Sequence, residues 1–424
     1  MISAFIRTAA IKLWQFLRAF WMIIGIAVAM FVLAESCYRA QDSIRTSIAN
    51  RSSRSRSSAT SAASAPVRHP VANEKWYPEF AREFEESSPQ AWRPYVYFRR
   101  AKAYHGKYVN IDSNQHRITP QPTSATPPLA KIFFFGGSTM WGSFLRDDHT
   151  IAAEASKRLQ AIAPPGQRYE VTNLGETGHV NTQGMIELML QLRSGQRPDV
   201  VVFYDGINDT FSVLQNGTAG VGQNEMNRVQ EFTTGRRLAW SGHDEGIVKD
   251  LHSYAILSGL ALERTRLVQR LRKALTPTPT RPLLSVDSAA HSAVRVYVEN
   301  ARMIESLAKT YGFTPIFVWQ PTIHASEKTF TPFEQRLVSR IKSDSLQSRL
   351  QLVHRAVLPM LDSAMATVAP GRFVNEAGLF KGDTLPVFTD QVGHNTEAAI
   401  PVIVGGFFPT LESALQSRAK ARAP

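Results

Sequence analysis

Four short strand-like segments, separated by segments with helical patterns, constrain the fold of this chain most strongly. They lie at residues 131–135, 169–173, 199–204 and 314–319. Two of them, KIFFF and DVVVFY, are apolar at consecutive positions, which is typical of strands buried on both faces. Helical patterns occupy residues 150–162, 182–193 and 289–311. Buried strands that alternate with helices predict an α/β fold, in which helices cover both faces of a parallel sheet.

Glycine-bearing turns follow three of these strands, at the sheet edge where α/β proteins bind their ligands. The first turn, GGSTMWG at 136–142, carries Ser138 and lacks the G-K-[ST] and G-x-G-x-x-G patterns of phosphate-binding loops. The others are NLGETG at 173–178 and DGIND at 205–209, where Asn208 offers a side-chain amide donor. A lone serine in such a turn often only caps a helix, so Ser138 needs partners to indicate a nucleophile.

Asp390 and His394 supply such partners in the late segment DQVGH. A short Asp-to-His spacing lets the carboxylate hold the Nδ1–H of the imidazole while Nε2 faces a serine. Gly393 favours this contact because glycine tolerates the positive φ of a local bulge. The nearest rival acid is Asp383, and we favour Asp390.

These motifs, in this order along the chain, resemble the four blocks of the SGNH (GDSL-type) hydrolase superfamily from about residue 131 to 405. Gly137-Ser138-Thr139 matches a variant of the nucleophile block, and residues 206–209 are an intact GxND block. The last block of the family is DxxH, whereas this chain has DxxxH with one extra residue. The resemblance implies a three-layer α/β/α, flavodoxin-like fold.

The resemblance also implies a role for five residues. Ser138 would be the nucleophile, His394 the general base and Asp390 the acid that orients the imidazole. The N–H groups of Ser138 and Gly178 and the side-chain amide of Asn208 would hold the oxyanion. Because of the extra residue in the last block, Asp390 can hold the imidazole of His394 only if the loop between them bulges.

The predicted activity is therefore that of an SGNH-type esterase that hydrolyses carboxylic esters, O-acetyl glycan esters among them, through an acyl-enzyme. Two alternatives stay open: an O-acyltransferase for an exported polysaccharide that uses the same residues, and a catalytically inactive glycan-binding or assembly protein. We expect no cofactor and no metal, because no Asp, Glu or His cluster has ligand spacing. His179 is interpreted as a loop histidine in preference to a residue that lines the site.

An uninterrupted apolar stretch of 16 residues, 19–34, precedes this domain. With the apolar flank 13–17 and a snorkelling Arg18, it is long enough to cross a hydrocarbon layer of roughly 30 Å. Trp14 and Trp21 suit a membrane interface. A membrane anchor is favoured over a buried core helix, a cleaved signal peptide and a lipoprotein acylated at Cys37.

The formal net charge of +13 is concentrated at the two ends of the chain. Residues 50–70, rich in Ser and Arg, predict a flexible tether; no aromatic residue alternates with the arginines, so nucleic acid is not an expected partner. Basic residues flank the anchor on both sides, so the positive-inside rule is ambiguous and leans slightly towards a cytoplasmic body. The family resemblance favours a single-pass membrane protein with an extracytoplasmic catalytic domain.

The predicted organisation has four parts. Residues 1–36 form the anchor, 37–75 a flexible linker, 76–130 an N-terminal extension of the catalytic domain, and 131–416 the hydrolase-like domain with an insertion at 210–288. Within the insertion, residues 251–275 predict a helix with one basic side. It is interpreted as a surface helix, in preference to a membrane-lying helix or a lid.

Overall fold

The computed structural model describes residues 2–56, 69–123, 126–223, 225, 265, 267 and 284–422. The chain divides into two compact units, Met1–Ala65 with Val229–Arg281 and Pro66–Arg228 with Pro282–Pro424. The second unit, called the body below, contains every predicted site residue. Most of the predicted insertion, including the helix expected at 251–275, lies outside the described residues.

The body is built on nine described strands and the helices between them. The strands are β1 Gln90–Arg93, β2 Tyr97–Arg100, β3 Tyr104–His105, β4 Asn110–Ile111, β5 Lys131–Gly136, β6 Glu170–Asn173, β7 Val200–Asp205, β8 Thr314–Trp319 and β9 Phe373–Asn375. The helices, counted from the N-terminal helix of the first unit, are α1 Ile2–Arg56, α2 Tyr77–Ser87, α3 Ser138–Trp141, α4 Ile151–Ile162, α5 Asn181–Arg193, α6 Ile207–Asn216, α7 Val286–Tyr311, α8 Pro332–Ser343, α9 Ser345–Val368 and α10 Ile400–Arg422.

Five parallel strands form the central sheet in the order β6-β5-β7-β8-β9. This is the flavodoxin-like order, in which the first strand of the sheet lies between the second and the third. The four predicted strands and the predicted parallel α/β fold are confirmed. Strand β9 is not predicted by the sequence, because its three residues, Phe-Val-Asn, are too few to show a periodic pattern.

Alternating residues of the strands enter two separate cores. Phe133, Phe135, Phe203 and Phe317 pack with residues of α5, α7 and α9 on one face. The strand residues that alternate with them, such as Phe134, point to the other face and pack with α4, α8 and α10. Because both faces are covered, the sheet is the middle of three layers, as the apolar strand sequences predicted.

The N-terminal extension packs onto the body through a third, aromatic cluster. Phe80 of α2 and Val109 and Ile111 around β4 are buried against Trp141, which ends α3. The hairpin β1–β2 is antiparallel and lies outside the central sheet. The extension therefore contacts the turn that contains Ser138.

Helix α1 carries the predicted apolar span. Within Trp14–Gln41, a window of 18 residues has a mean hydropathy of 2.3 and contains no buried residue, whereas Glu35 near the end of the segment is buried. Among the described residues a second segment, Glu397–Lys420, is also long and apolar enough to cross a membrane, but it is 44% buried and corresponds to core helix α10. By length and composition, an N-terminal apolar helix is present.

The flexible linker at residues 37–75 stays a prediction, and the structure describes only its two ends. The N-terminal part continues α1 to Arg56, since Ala and Arg favour helix. At the other end His69 stacks on Tyr77 with ring centroids 5.2 Å apart, so the chain is already part of the body there. Residues 57–68 lie outside the described residues.

Candidate active site

Ser138 and Asn208 lie at the topological switch point of the sheet. Strands β5 and β7 are neighbours, and the chain leaves them in turns that begin α3 and α6. Ser138 is the first residue of α3, and Asn208 lies in the first turn of α6. The carboxyl edge at a switch point is the place where open α/β sheets bind ligands.

Ser138, His394 and Asp390 form one hydrogen-bonded series. The Oγ of Ser138 is 2.7 Å from Nε2 of His394, and Nδ1 of that ring is 2.5 Å from Oδ2 of Asp390. A carboxylate accepts hydrogen bonds only, so Nδ1 carries the proton and Nε2 is left to accept the hydroxyl proton of Ser138. The arrangement is that of a nucleophile, a base and an orienting acid.

The extra residue between Asp390 and His394 is accommodated by a turn around the carboxylate. Oδ1 of Asp390 accepts the backbone N–H groups of Val392, Gly393 and His394 at 2.9, 3.0 and 3.2 Å. Gly393 has a φ of +98°, the positive value that the expected bulge requires. The DxxxH spacing thus brings the two side chains together.

The electrostatic environment keeps Asp390 ionised. Burial by itself would raise the pKa of this carboxyl, but the adjoining His394 and the backbone N–H donors outweigh burial and lower the pKa. Asp383, the rival acid, uses Oδ1 to accept the backbone N–H of Leu385 at 2.8 Å. This side-chain hydrogen bond of Asp383 therefore lies within its own turn.

Two backbone N–H groups and one side-chain amide are the candidate oxyanion donors that the sequence predicts. Among the described residues, neither the N–H of Ser138 nor that of Gly178 donates to a protein acceptor. The side-chain nitrogen of Asn208 donates one N–H to the carbonyl of His179 at 2.8 Å, while its oxygen accepts from Gln223 at 3.0 Å. These two contacts fix the amide and leave its second N–H available.

Gly137 allows the amide of Asn208 to approach the nucleophile turn. A β-carbon at this position would lie 2.1 Å from the side-chain nitrogen of Asn208, which is far inside van der Waals contact. The glycine before Ser138 is therefore needed for close approach of two chain segments.

His179 is an anchoring residue of the loop that follows β6. It is buried, and its Nε2 lies 3.0 Å from the carbonyl of Phe98, to which it donates. Burial first, and then Arg99, lower the pKa of His179 to about 3, so the ring is neutral. This agrees with its interpretation as a loop histidine.

Sequence reasoning did not identify the two arginines that enclose Trp141. The guanidinium carbons of Arg100 and Arg117 lie 3.9 and 4.5 Å from the centre of the indole. Arg117 also donates to the carbonyls of Gly142 and Leu145 at 2.7 and 2.6 Å. These contacts hold the turn that directly follows Ser138.

Arg100 also connects this turn to the loop that carries Gly178. Its side chain donates to Thr177 Oγ1 at 2.5 Å, and its backbone N–H donates to the carboxylate of Glu176 at 3.0 Å. A buried arginine in the extension has no sequence pattern that marks it. Its partners become visible only when the extension and the sheet are brought together.

Phe144 is a further contact that the sequence did not indicate. Its ring meets the ring of His394 edge-on at 5.2 Å and stacks on Phe84 at 5.0 Å. Its φ of +66° is uncommon for a bulky residue, and such strain is concentrated at functional sites. His69 packs on the same ring at 5.4 Å, and burial lowers the pKa of His69 to about 4.

Glu334 fixes the segment that leads to Asp390. It is buried, and its Oε1 accepts the N–H groups of Val387 and Phe388 at 2.9 and 3.1 Å. Its Oε2 pairs with Nζ of the buried Lys328 at 2.7 Å. The sequence indicates only the capping box Thr331-x-x-Glu334, which the structure also contains. The longer-range contacts need the folded chain.

In the part of the chain that the structure describes, no group of three or more His, Cys, Asp or Glu side chains is arranged to hold a metal ion. No family model and no curated protein matches this sequence.

The chain is similar to solved structures at low identity. TesA is 13% identical, with 67% of this chain and 99% of that chain covered and a TM-score of 0.35. The acetyl xylan esterase AlAXEase is 10% identical, with coverages of 66% and 99% and a TM-score of 0.35. The acetylxylan esterase Axe2 from Geobacillus stearothermophilus is 15% identical, with coverages of 66% and 94% and a TM-score of 0.34.

Replacing Glu334 by alanine should destabilise the body by about 3–5 kcal/mol, because Lys328 would be left buried without its partner. Lys328 and the backbone donors outweigh the effect of burial and lower the pKa of Glu334 below its ordinary 4.5. The carboxylate therefore stabilises the fold above about pH 4.5, and this contribution is lost as the pH falls through the lowered pKa.

Denaturant titration of wild type and variant between pH 7 and roughly pH 3 measures this difference. The control is Glu327→Ala, which removes an exposed carboxylate that pairs with exposed Lys381 at 2.9 Å. That change should have little effect on stability, because water screens an exposed ion pair. Equal losses of stability for the two variants at pH 7 would contradict the role of Glu334.

Proposed function

We propose that this protein is a serine esterase that hydrolyses carboxylic esters through an acyl-enzyme. The observation that supports the proposal most directly is the hydrogen-bonded series from Asp390 through His394 to Ser138, next to backbone N–H groups that have no protein acceptor among the described residues. These parts are the ones that acyl transfer needs: an activated nucleophile, a base held in one tautomer, and donors for an oxyanion.

The first half of the reaction acylates Ser138. Its Oγ forms a bond to the ester carbonyl carbon while the hydroxyl proton moves to Nε2 of His394. Asp390 stabilises the imidazolium that results. When the tetrahedral intermediate collapses, the bond to the leaving alcohol breaks and Nε2 returns the proton to its oxygen.

The second half repeats these steps with water. His394 takes a proton from water, whose oxygen attacks the acyl carbon, and then returns the proton to Oγ of Ser138 as the carboxylic acid leaves. The oxyanion of each intermediate is held by the N–H groups of Ser138 and Gly178 and by the second N–H of Asn208. Loss of one such donor costs about 3–4 kcal/mol of transition-state stabilisation in comparable sites.

The proposed substrates are compact carboxylic esters, O-acetyl groups on glycans among them. Ser138 is only 5% exposed, which favours a small acyl group over a bulky one at the nucleophile. A sugar hydroxyl in place of water would make the same residues an acyltransferase. Acetyl transfer to an oligosaccharide, measured beside hydrolysis, separates these two reactions.

The proposed location is a membrane with the body on the extracytoplasmic side. The proposal is supported by the exposed apolar segment Trp14–Gln41 and by the family resemblance of the sequence. The large apolar side chains of this helix, such as Trp21 and Ile23, are exposed, and a bilayer would cover them.

Ser138→Ala should leave the fold intact and lower hydrolysis of p-nitrophenyl acetate by about three or more orders of magnitude. A serine-directed phosphonate should label wild type at Ser138 alone. The control is Ser306→Ala, since Ser306 is exposed and its hydroxyl donates to the carbonyl of Arg302 in its own helix. Substantial turnover by Ser138→Ala, or labelling of another serine, would contradict the assignment of the nucleophile.

Asp390→Ala should lower kcat by about two or more orders of magnitude with little change in KM. The reason is that the carboxylate stabilises an imidazolium that forms only as the reaction proceeds. Asp383→Ala is the matched control and should have a small effect. Steady-state kinetics on variants of equal thermal stability make the comparison. A larger loss for Asp383→Ala would transfer the role to that residue, and two small losses would indicate a Ser–His dyad.

Protease added to intact cells with a permeable outer layer should release a fragment close to residues 73–424. The expected cut lies between the anchor and the body, where the sequence is rich in Ser and Arg. Immunoblotting with an antibody against the C-terminus measures the fragment. Complete protection of intact cells, together with cleavage after lysis, would place the body in the cytoplasm.

A further inference from the structure

A cavity of about 660 Å³ lies on the flank of the body, beside the edge strand β6. Its walls come from the hairpin β1–β2, from residues 112–116 and from helix α5. Ser138, Asp390 and His394 are not among its lining residues. The volume is within the range of small-ligand sites.

The carboxylates of the cavity already have partners. Glu187 pairs with Arg99 at 3.0 Å, and both side chains are buried. Glu170 lies 3.6 Å from Arg168, outside the cavity lining. Asp112 accepts the backbone N–H of His116 at 2.8 Å. The acidic groups of the lining are therefore largely occupied within the protein.

The guanidinium groups of the cavity, unlike its carboxylates, do not all have partners within the described part of the protein. Among the described residues, neither Arg93 nor Arg193 has an ion pair, and Nη1 of the buried Arg99 has no hydrogen-bond partner. The guanidinium carbon of Arg193 lies 5.9 Å from the ring centre of Tyr95. The cavity therefore has surplus N–H donors of the kind that bind carboxylates in two-pronged contacts.

His116 is a histidine of this lining whose pKa responds to burial and to the charged groups around it. Burial first, then Arg99 and also Arg93, lower its pKa to about 4, although Glu187 and Asp112 act in the opposite direction. The ring is therefore neutral at pH 7. A bound anion would reverse part of this effect, because it would stabilise the imidazolium.

Tyr95 gives the cavity an aromatic rim. It is 64% exposed and has a φ of +71°, an uncommon conformation for a large side chain. The lining also contains Asn114 and Gln196, whose side-chain amides can form hydrogen bonds with hydroxyl groups. An exposed ring packs against the C–H face of a sugar, and amides bond to its hydroxyls.

We infer that this cavity binds a carboxylate-bearing oligosaccharide, with Arg93 and Arg193 on the carboxylate and Tyr95 on a sugar ring. The inference deepens the proposed function, since it assigns an acidic glycan as the chain that carries the ester. The role of the bound glycan as substrate rests on that function. Binding of the glycan does not rest on the proposed function, because none of the proposed catalytic residues lines the cavity.

The test is titration calorimetry with the full-length Ser138→Ala protein in detergent. The probes are a short oligogalacturonate and an oligogalactose of the same length, which differ only in the carboxylates. Oligogalacturonate should bind more tightly, and added salt should weaken it. Arg93→Gln and Arg193→Gln should each weaken it by about tenfold or more. Arg336→Gln is the control, because this exposed arginine lies on α8, which packs on the opposite face of the sheet.

A second measurement locates the ligand: the pKa of His116, followed by NMR, should rise when oligogalacturonate is bound. Equal affinity for oligogalactose, an unchanged pKa of His116, or equal losses for all three arginine variants would overturn the inference. Inorganic phosphate that binds as tightly as oligogalacturonate would also overturn it, because the cavity would then be a simple anion site. Ester turnover by wild type is a separate measurement, so failure of the esterase proposal and failure of this inference are distinguishable.

Discussion

The parallel pairing of β5 with β7 is the constraint on which the rest of the site depends. Gly136 is in register with Tyr204, so the two strands reach the carboxyl edge of the sheet together. The turns that follow must therefore pass each other closely, and Gly137 leaves the space that the amide of Asn208 occupies. Ser138 and Asn208 are neighbours because two buried strands are neighbours.

Histidine reaches this edge from the other end of the chain, and its position is set by buried polar contacts. The buried ion pair of Glu334 with Lys328 holds the segment before Asp390. The carboxylate of Asp390 then organises its own turn before it contacts the ring of His394. Each step satisfies backbone N–H groups that would be costly to bury alone. The same contacts that complete the fold also fix the orientation of the His394 ring.

The N-terminal extension contributes to the site without supplying a reacting atom. Arg100 and Arg117 cover the two sides of Trp141, and Arg100 also bonds to Thr177 beside Gly178. Guanidinium groups stack on aromatic rings and donate several hydrogen bonds at once, which makes arginine suited to join separate segments. The extension is thus a structural part of the body, and it also forms one wall of the flanking cavity.

The sequence by itself determined the α/β class, the four longer strands and the order of the site motifs. Buried parallel strands must be apolar on both faces, and glycine must stand where turns are tight or approach closely. It also indicated that Gly393 would accommodate the extra residue before His394. Only the tertiary structure decided that Asp390 contacts His394 and that Arg100 bridges two loops. Those contacts join residues through space after the chain has folded, and no local periodicity encodes a partner that is distant in sequence.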